Sequence, residues 1–466
     1  MRDLDAIIKA YDVRGVYPDE LDAGLAERIG AAFARVVGAS RAAGGPGAVV
    51  VARDMRPSGP ELVAAFSAGV TGQGVDVVDI GLASTDELYF AAGRLDLPGA
   101  MFTASHNPAR YNGIKLCRAG ATPVGQDTGL AEIRAMVADD VPPSGDPVGS
   151  VTHREVLYDY AAFLRQLVDL SDIRPLRVVV DAGNGMAGLT APAVLDVPGL
   201  DVVALYFDLD GTFPNHEANP IDPENLRDLQ AAVVAEGADL GLAFDGDADR
   251  CFLVDEAGAL VSPSALTGLI AARELQKHPG APIIHNLITS AAVPEVIREN
   301  GGVPVRTRVG HSFIKARMAE TGAVFGGEHS GHFYFTDFWR ADSGMLAALH
   351  TIAALGRSPG ATTLSELLAP YERYVASGEI NSVVSDQAAA TERVRAAFRA
   401  EPGVEFDDLD GMTVTGPDWW FNVRPSNTEP LLRLNAEARD APAMGALRDR
   451  VLTLIREDSP EEGAQA

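Results

Sequence analysis

Three times along this chain, short apolar runs of strand length alternate with stretches of helical period, and that alternation restricts the fold more than any other feature. After the breaker Gly44-Gly45-Pro46-Gly47, the run Ala48-Val49-Val50-Val51-Ala52 predicts a buried strand. A helix over 62–71, a strand over 75–80, a helix over 88–95 and a strand over 99–103 follow. This is the rhythm of a layered α/β unit, in which helices cover a largely parallel sheet. Turn formers over 141–147 mark a linker, and a second unit follows with a helix over 158–170 and strands over 177–180, 201–207 and 240–244. A third begins near Leu253 and holds strands over 282–285 and 303–306 and a helix over 311–320. Beyond residue 360 the pattern changes. A helix over 364–369, strand candidates over 380–385, 412–415, 420–424 and 431–437, and a closing helix over 443–455 read as a smaller, mostly antiparallel α+β unit. The expected fold class is α/β, with related layered α/β domains at 1–147, 148–252 and 253–362 and a C-terminal α+β domain at 363–466.

A chain of 466 residues fits roughly three domains. Its 38 Lys+Arg against 65 Asp+Glu leave a formal charge of -27, which opposes a polyphosphate backbone or an anionic membrane surface. Nucleic acid and membrane are therefore excluded as expected partners, whereas a small anionic substrate needs only a local group of arginines. Cys117 and Cys251 carry no metal-binding or disulfide spacing. The N-terminal residues lack a signal-peptide core, and no stretch of about 18 apolar residues occurs, so a cytoplasmic protein is expected. Oligomeric state is not legible.

Four motifs carry chemistry. Thr103-Ala104-Ser105-His106-Asn107-Pro108, followed by Asn112-Gly113-Ile114-Lys115, stands just after a strand, where parallel sheets place site residues. Asp245-Gly246-Asp247-Ala248-Asp249-Arg250 follows an apolar strand and can turn three carboxylates onto one hard cation. Its rival reading is an EF-hand with Glu256 at position twelve; Arg250 where that loop needs Gly, and flanking strands instead of helices, oppose it. Gly326-Gly327-Glu328-His329-Ser330-Gly331-His332, with Gly310-His311-Ser312 upstream, brings a carboxylate and a hydroxyl to a loop whose glycines allow close backbone approach. A zinc site on His329 and His332 is the metal alternative there. Arg424-Pro425-Ser426-Asn427-Thr428 is a donor-rich loop suited to a phosphate. A fifth motif points elsewhere: Gly183-Asn184-Gly185-Met186-Ala187-Gly188 has dinucleotide-loop spacing and supports an NAD-dependent oxidoreductase as a remote alternative, although Asp181 would oppose a pyrophosphate. A non-catalytic metal-binding module would leave Ser105 and the Arg424 loop without a role.

In this order and spacing the four motifs, with Tyr11-Asp12-Val13-Arg14-Gly15 near the start, resemble the alpha-D-phosphohexomutases, in particular the bacterial phosphomannomutase/phosphoglucomutase group. The resemblance implies four domains around a central cleft, each lending one motif. It implies a phosphorylated Ser105 whose phosphate shares magnesium with Asp245, Asp247 and Asp249. Glu328 and Ser330 would read sugar hydroxyls, while Arg424, Ser426, Asn427 and Thr428 would hold the idle phosphate. Arg250 would steady the transferring phosphoryl, Lys115 and His311 would move the hydroxyl proton, and Tyr11 and Arg14 would line the cleft. Lys115 is expected there because a neighbouring cation would lower its pKa. The implied reaction interconverts hexose 6-phosphate and hexose 1-phosphate through a hexose 1,6-bisphosphate. By analogy, His332 with Glu328 and Ser330 favours a mannose or glucose phosphate over an amino sugar; mannose phosphate is the expected substrate, with glucose phosphate or both sugars as the alternative. His285-Asn286-Leu287-Ile288-Thr289 lacks a lysine that some relatives carry, which bears on sugar preference.

Overall fold

The structure, a computed structural model, describes residues 3–41, 44–425 and 431–457, with His311 and Ser312 described in their backbone alone. Four sheets appear in chain order. The first arranges Asp76–Leu82, Ala48–Arg53 and Gly99–Phe102 in parallel, with Val151–His153 parallel on one edge and the antiparallel Tyr111–Cys117 and Val13–Val16 on the other. The second sets Leu200–Leu205, Leu176–Asp181 and Leu240–Phe244 in parallel, then Cys251–Asp255 and Leu260–Val261 antiparallel. The third repeats this with Val303–Thr307, Pro282–Asn286 and Phe325–Gly327 parallel, then Phe333–Phe335 and Ala341–Asp342 antiparallel. The fourth is antiparallel throughout, in the order Val375–Val383, Leu431–Ala438, Trp419–Pro425, Met412–Thr415, Glu405–Asp407.

The expected fold class is therefore observed, and the repetition has a functional consequence. In each of the first three units the last parallel strand turns back into an antiparallel neighbour, and that turn carries a motif: Ser105 after Gly99–Phe102, Asp245 to Asp249 after Leu240–Phe244, Glu328 to His332 after Phe325–Gly327. The Arg424 motif likewise leaves Trp419–Pro425 toward Leu431–Ala438. Central strands such as Ala48–Arg53 are apolar on both faces because helices cover both sides, whereas in the fourth unit's Trp419–Pro425 apolar Phe421 and Val423 alternate with polar Asn422 and Arg424.

One apolar core runs from Val50 through Val178 and Ile283 to Leu368 and binds the first three units together. The fourth has its own, built on Val394, Phe398, Phe421, Leu434 and Val451. Its attachment to the third unit is polar: Arg306 bonds Asp407 and Thr413, and the Ala291 N–H donates to Glu437 Oε2 at 2.9 Å.

Three features add to or correct these expectations. The helix Gln387–Phe398, capped by Asp386, was not anticipated. It buries only Ala390, Val394 and Phe398, a stripe too thin for apolar periodicity to mark. Tyr111–Cys117 is a strand, so the part of the serine motif from Asn112 to Lys115 lies in the sheet itself. The second sheet extends through Val261, so a boundary at 252 falls inside the strand Cys251–Asp255. Among the described residues no helix is long and apolar enough to cross a membrane.

Candidate active site

Ser105 sits at the tip of the first unit's turn with φ 49°, a left-handed conformation uncommon for a residue with a side chain. It is 2% exposed, and its hydroxyl donates to Asp245 Oδ2 at 2.6 Å across the interface with the second unit. The backbones touch as well: a Cβ on Gly246 would meet the Ser105 carbonyl oxygen at 2.5 Å, so only glycine permits the approach. His106 Nδ1 lies 3.2 Å from Ser105 Oγ, and burial pushes that imidazole down to about 2, keeping it neutral. In the sequence His106 is one more polar residue of the motif, and the turn is what places it beside the hydroxyl.

Asp245, Asp247 and Asp249 are all buried and offer oxygens within 4.8 Å of one another. Lys115, from the strand after the serine turn, donates to Asp247 Oδ2 at 2.7 Å and to Asp249 Oδ2 at 2.5 Å. Thr85 adds a hydroxyl bond to Asp247 Oδ2 at 2.5 Å, and its N–H donates to the Asp247 carbonyl. Burial and the neighbouring Asp247 charge push Asp245 and Asp249 up. Burial would raise Asp247 too, but the Lys115 ammonium outweighs it and holds that carboxyl well below the usual range. Burial alone would lower Lys115, yet Asp247 and Asp249 overcome it and raise the amine's pKa. The expected lowering of Lys115 is therefore corrected: its strongest neighbours are anions.

The donor set fits a hard cation. Asp247 Oδ1 and Asp249 Oδ1 are buried without a hydrogen-bond partner among the described residues, although His332 Nε2 stands 3.6 Å from the latter. Two like charges about 4 Å apart repel by roughly 4 kcal/mol at an effective dielectric of about 20. A divalent ion would relieve that repulsion. Asp249, His332 and Asp342 form a second group of close ligand atoms, but there Lys315 already supplies a cation, 2.5 Å from Asp342 Oδ1. The EF-hand reading fails because Glu256 turns away to accept from the Ser365 N–H and hydroxyl.

The remaining motifs meet this cluster in sequence. Arg250 stands between Asp245, 3.5 Å away, and His332, whose Nε2 accepts from Arg250 Nε at 3.3 Å. His332 Nδ1 lies 2.9 Å from Ser330 Oγ. Glu328 is buried and accepts from the Tyr334 hydroxyl at 2.6 Å, from Asn286 Nδ2 at 3.3 Å and from the Gly310 N–H at 3.3 Å, which fixes its carboxylate beside the Gly310 turn. His329 pairs with Asn286 and belongs to no group of metal-ligand atoms among the described residues, so the zinc reading is unsupported. Arg14 donates to the Ala104 carbonyl at 3.1 Å and to Asn107. Tyr11 packs edge-on against Phe313, and burial raises its pKa, with Arg308, Asp410 and Glu328 near enough to act on it.

Arg424 is 8% exposed, donates to Glu379 Oε2 at 3.2 Å and leaves Nη1 without a hydrogen bond among the described residues. Its charge helps burial lower His329, which places it next to the Glu328 to His332 turn. Ser426, Asn427 and Thr428 and the side chain of His311 lie outside the described residues. A cavity of about 1170 Å³ between the second, third and fourth units reaches this corner at His329 and Glu379 but not Ser105. The location of the chemistry accordingly rests on the carboxylate cluster.

Gly183 to Gly188 turns from Leu176–Asp181 into the helix Ala187–Val194 and braces the aspartate turn: the Met186 N–H donates to the Gly246 carbonyl at 2.9 Å. A Cβ on Gly185 would meet that oxygen at 2.7 Å. Gly185→Ala is thus expected to push the aspartate turn out of place and weaken divalent-cation binding by about tenfold or more. Calorimetric titration of magnesium into the folded variant checks this, and unchanged affinity would show that the brace is dispensable.

Family models cover nearly all of the chain. Phosphoglucomutase/phosphomannomutase alpha/beta/alpha domain I matches residues 5–141, domain II 158–258, domain III 263–374 and the C-terminal domain 379–454. The chain belongs to the phosphoglucomutase/phosphomannomutase family. It is 42% identical over 450 residues, 96% of this chain and 98% of the relative, to the phosphohexose mutases of Xanthomonas campestris pv. campestris. Against the phosphomannomutase of Salmonella montevideo it is 41% identical over 460 residues, again covering 96% and 98%. The solved phosphoglucomutase/phosphomannomutase family protein of Burkholderia thailandensis superposes with a TM-score of 0.88 at 36% identity over 99% of both chains. The chain is therefore a phosphohexomutase, an isomerase of the alpha-D-phosphohexomutase superfamily. Enzymes of this family depend on magnesium and work through a hexose bisphosphate, which agrees with the carboxylate cluster described above. The NAD-dependent reading of Gly183 to Gly188 is overturned.

Proposed function

We propose that this phosphohexomutase interconverts hexose 6-phosphate and hexose 1-phosphate with mannose phosphate as its preferred substrate, acting through phosphoserine Ser105. The observation that carries the reading is the 2.6 Å bond from Ser105 Oγ to Asp245 inside a buried carboxylate triad. The relative named phosphomannomutase supports the choice of sugar. The family description, which pairs glucose and mannose, favours dual specificity as the second reading.

Asp245, Asp247, Asp249 and a phosphate oxygen on Ser105 would hold magnesium, which neutralises charge on the phosphoryl group. The phosphoryl passes from Ser105 Oγ to a sugar hydroxyl, the O–P bond to serine breaking as the bond to the sugar forms. Arg250 neutralises the equatorial oxygens. Lys115, held as an ammonium, suits the donor's part and returns a proton to Ser105 Oγ, while His311 takes the proton from the attacking hydroxyl. The bisphosphate then turns over, and Ser105 takes back the other phosphate. Glu328, Ser330 and His332 read hydroxyls, Tyr11 and Arg14 line the cleft, and Arg424, Ser426, Asn427 and Thr428 hold whichever phosphate is idle. We assign these roles to four successive domains, the second of them running through Val261 with its sheet, in a cytoplasmic enzyme.

Assaying mannose 1-phosphate and glucose 1-phosphate side by side tests the proposal, and conversion of neither would contradict it. Arg424→Ala is expected to raise KM in both directions. Loss of a bidentate, charge-assisted contact is worth about 1.5–3 kcal/mol, or roughly 10- to 150-fold in kcat/KM. A change below about twofold in both constants would remove the fourth unit from the mechanism.

A further inference from the structure

Arg56 is the largest fully buried side chain, at 0% exposure, in a segment no motif singled out. It follows the strand Ala48–Arg53, and its guanidinium reaches the serine turn from behind. Nη2 donates to the carbonyls of Ser105 at 2.8 Å and Asn107 at 2.7 Å, and Nη1 to those of Pro108 at 3.0 Å and Tyr111 at 2.9 Å. Nε donates to Asp54 Oδ2 at 3.1 Å, so all five donors of the fork are used. Asp54 is itself held, accepting the Arg56 N–H on Oδ1 at 3.0 Å. From the second unit, the Phe213 ring covers the guanidinium at 5.3 Å. Arg56 therefore cannot touch a substrate.

We infer that Arg56 is the positioning residue of the nucleophile: by gathering the carbonyl oxygens of Ser105, Asn107, Pro108 and Tyr111 onto one cation, it fixes the turn from which Ser105 attacks. Between the strands Gly99–Phe102 and Tyr111–Cys117 this turn must hold Ser105 at positive φ. A residue in that region persists only where its surroundings over-determine it. Four converging carbonyls would repel one another, and the guanidinium turns that repulsion into attraction. Lysine carries the charge but lacks the planar fork, so it cannot span all four acceptors. Arg14 binds the Ala104 carbonyl from the cleft side and is partly exposed, so the two arginines divide the turn between a buried clamp and a cleft-facing one.

This inference rests on Ser105 being the phosphoryl acceptor, and its test separates the two claims. Arg56→Lys and Asp54→Asn are made in the full chain and exposed to glucose 1,6-bisphosphate with magnesium. Phosphorylation of Ser105 is followed by intact mass at successive quench times, beside kcat and KM for a hexose 1-phosphate. The phosphorylation rate and kcat are expected to fall about 100-fold in Arg56→Lys, the size of effect that a misplacement near 1 Å produces. Asp54→Asn, which leaves the guanidinium present but removes the carboxylate charge and one of the two acceptors that Arg56 uses, should lose about tenfold. KM should move by less than about threefold in both, because no substrate contact is lost. Should Arg56→Lys fail to fold, Asp54→Asn decides alone. Folded variants phosphorylated within about threefold of the parent rate, or a raised KM with unchanged kcat, would overturn the inference. A parent protein that accepts no phosphoryl group would overturn the Ser105 assignment and this inference with it.

Discussion

Ser105→Ala should abolish mutase activity, by about 10³-fold or more, while the protein stays folded. The side chain makes one strong bond, to Asp245, whose loss costs about 1 kcal/mol. The turn itself is held through the backbone, by Gly246 against the Ser105 carbonyl and by Arg56 behind it, and neither contact needs the hydroxyl. Circular dichroism and thermal melting should therefore match the parent, and the loss should fall on kcat with both mannose 1-phosphate and glucose 1-phosphate. Residual activity within about tenfold of the parent would mean that phosphoryl transfer bypasses this serine.

Removal of the divalent cation should be as severe. A chelator is expected to silence the enzyme and magnesium to restore it, because among the described residues Lys115 and Arg250 are the Lys and Arg side chains ion-paired with the three buried carboxylates, two cations for three anions. Asp247→Asn should blunt that rescue by about 100-fold, a loss larger than that of a supporting contact. Asp247 also anchors Lys115 and Thr85, so the substitution replaces an acceptor by an amide that can turn a donor toward the ammonium. Comparing magnesium titrations of parent and variant separates weaker binding from lost chemistry: a shifted midpoint with a full plateau means the former. Full activity of the parent in excess chelator would remove the metal from the mechanism.

What could be read in the sequence and what could not differ by physical distance along the chain. Apolar run lengths reveal the parallel strands because burial on both faces leaves an uninterrupted signature, as in Val49 to Ala52. The aspartate turn is legible because its three ligands are local, at i, i+2 and i+4. Thr85 is invisible: its partner Asp247 lies 162 positions away, and nothing in Ser84-Thr85-Asp86 announces a carboxylate of another domain. Arg56 escapes for a related reason, since its acceptors are backbone carbonyls, which carry no residue identity. The direction of the Lys115 pKa shift is hidden in the sequence because its partners Asp247 and Asp249 arrive from the second unit, and the direction of a shift depends on which neighbours the fold delivers. Glu328 was anticipated as a sugar reader, but its anchors Tyr334, Asn286 and Gly310 appear only once the third sheet is assembled.

The most direct test of the account is intact mass, followed by peptide mapping, of the purified protein before and after incubation with glucose 1,6-bisphosphate and magnesium. The account predicts the gain of a single phosphoryl group, mapped to Ser105, and its loss when the protein is then given excess hexose monophosphate. A phosphoryl group on any other residue, or none at all in a protein that still interconverts the monophosphates, would contradict it.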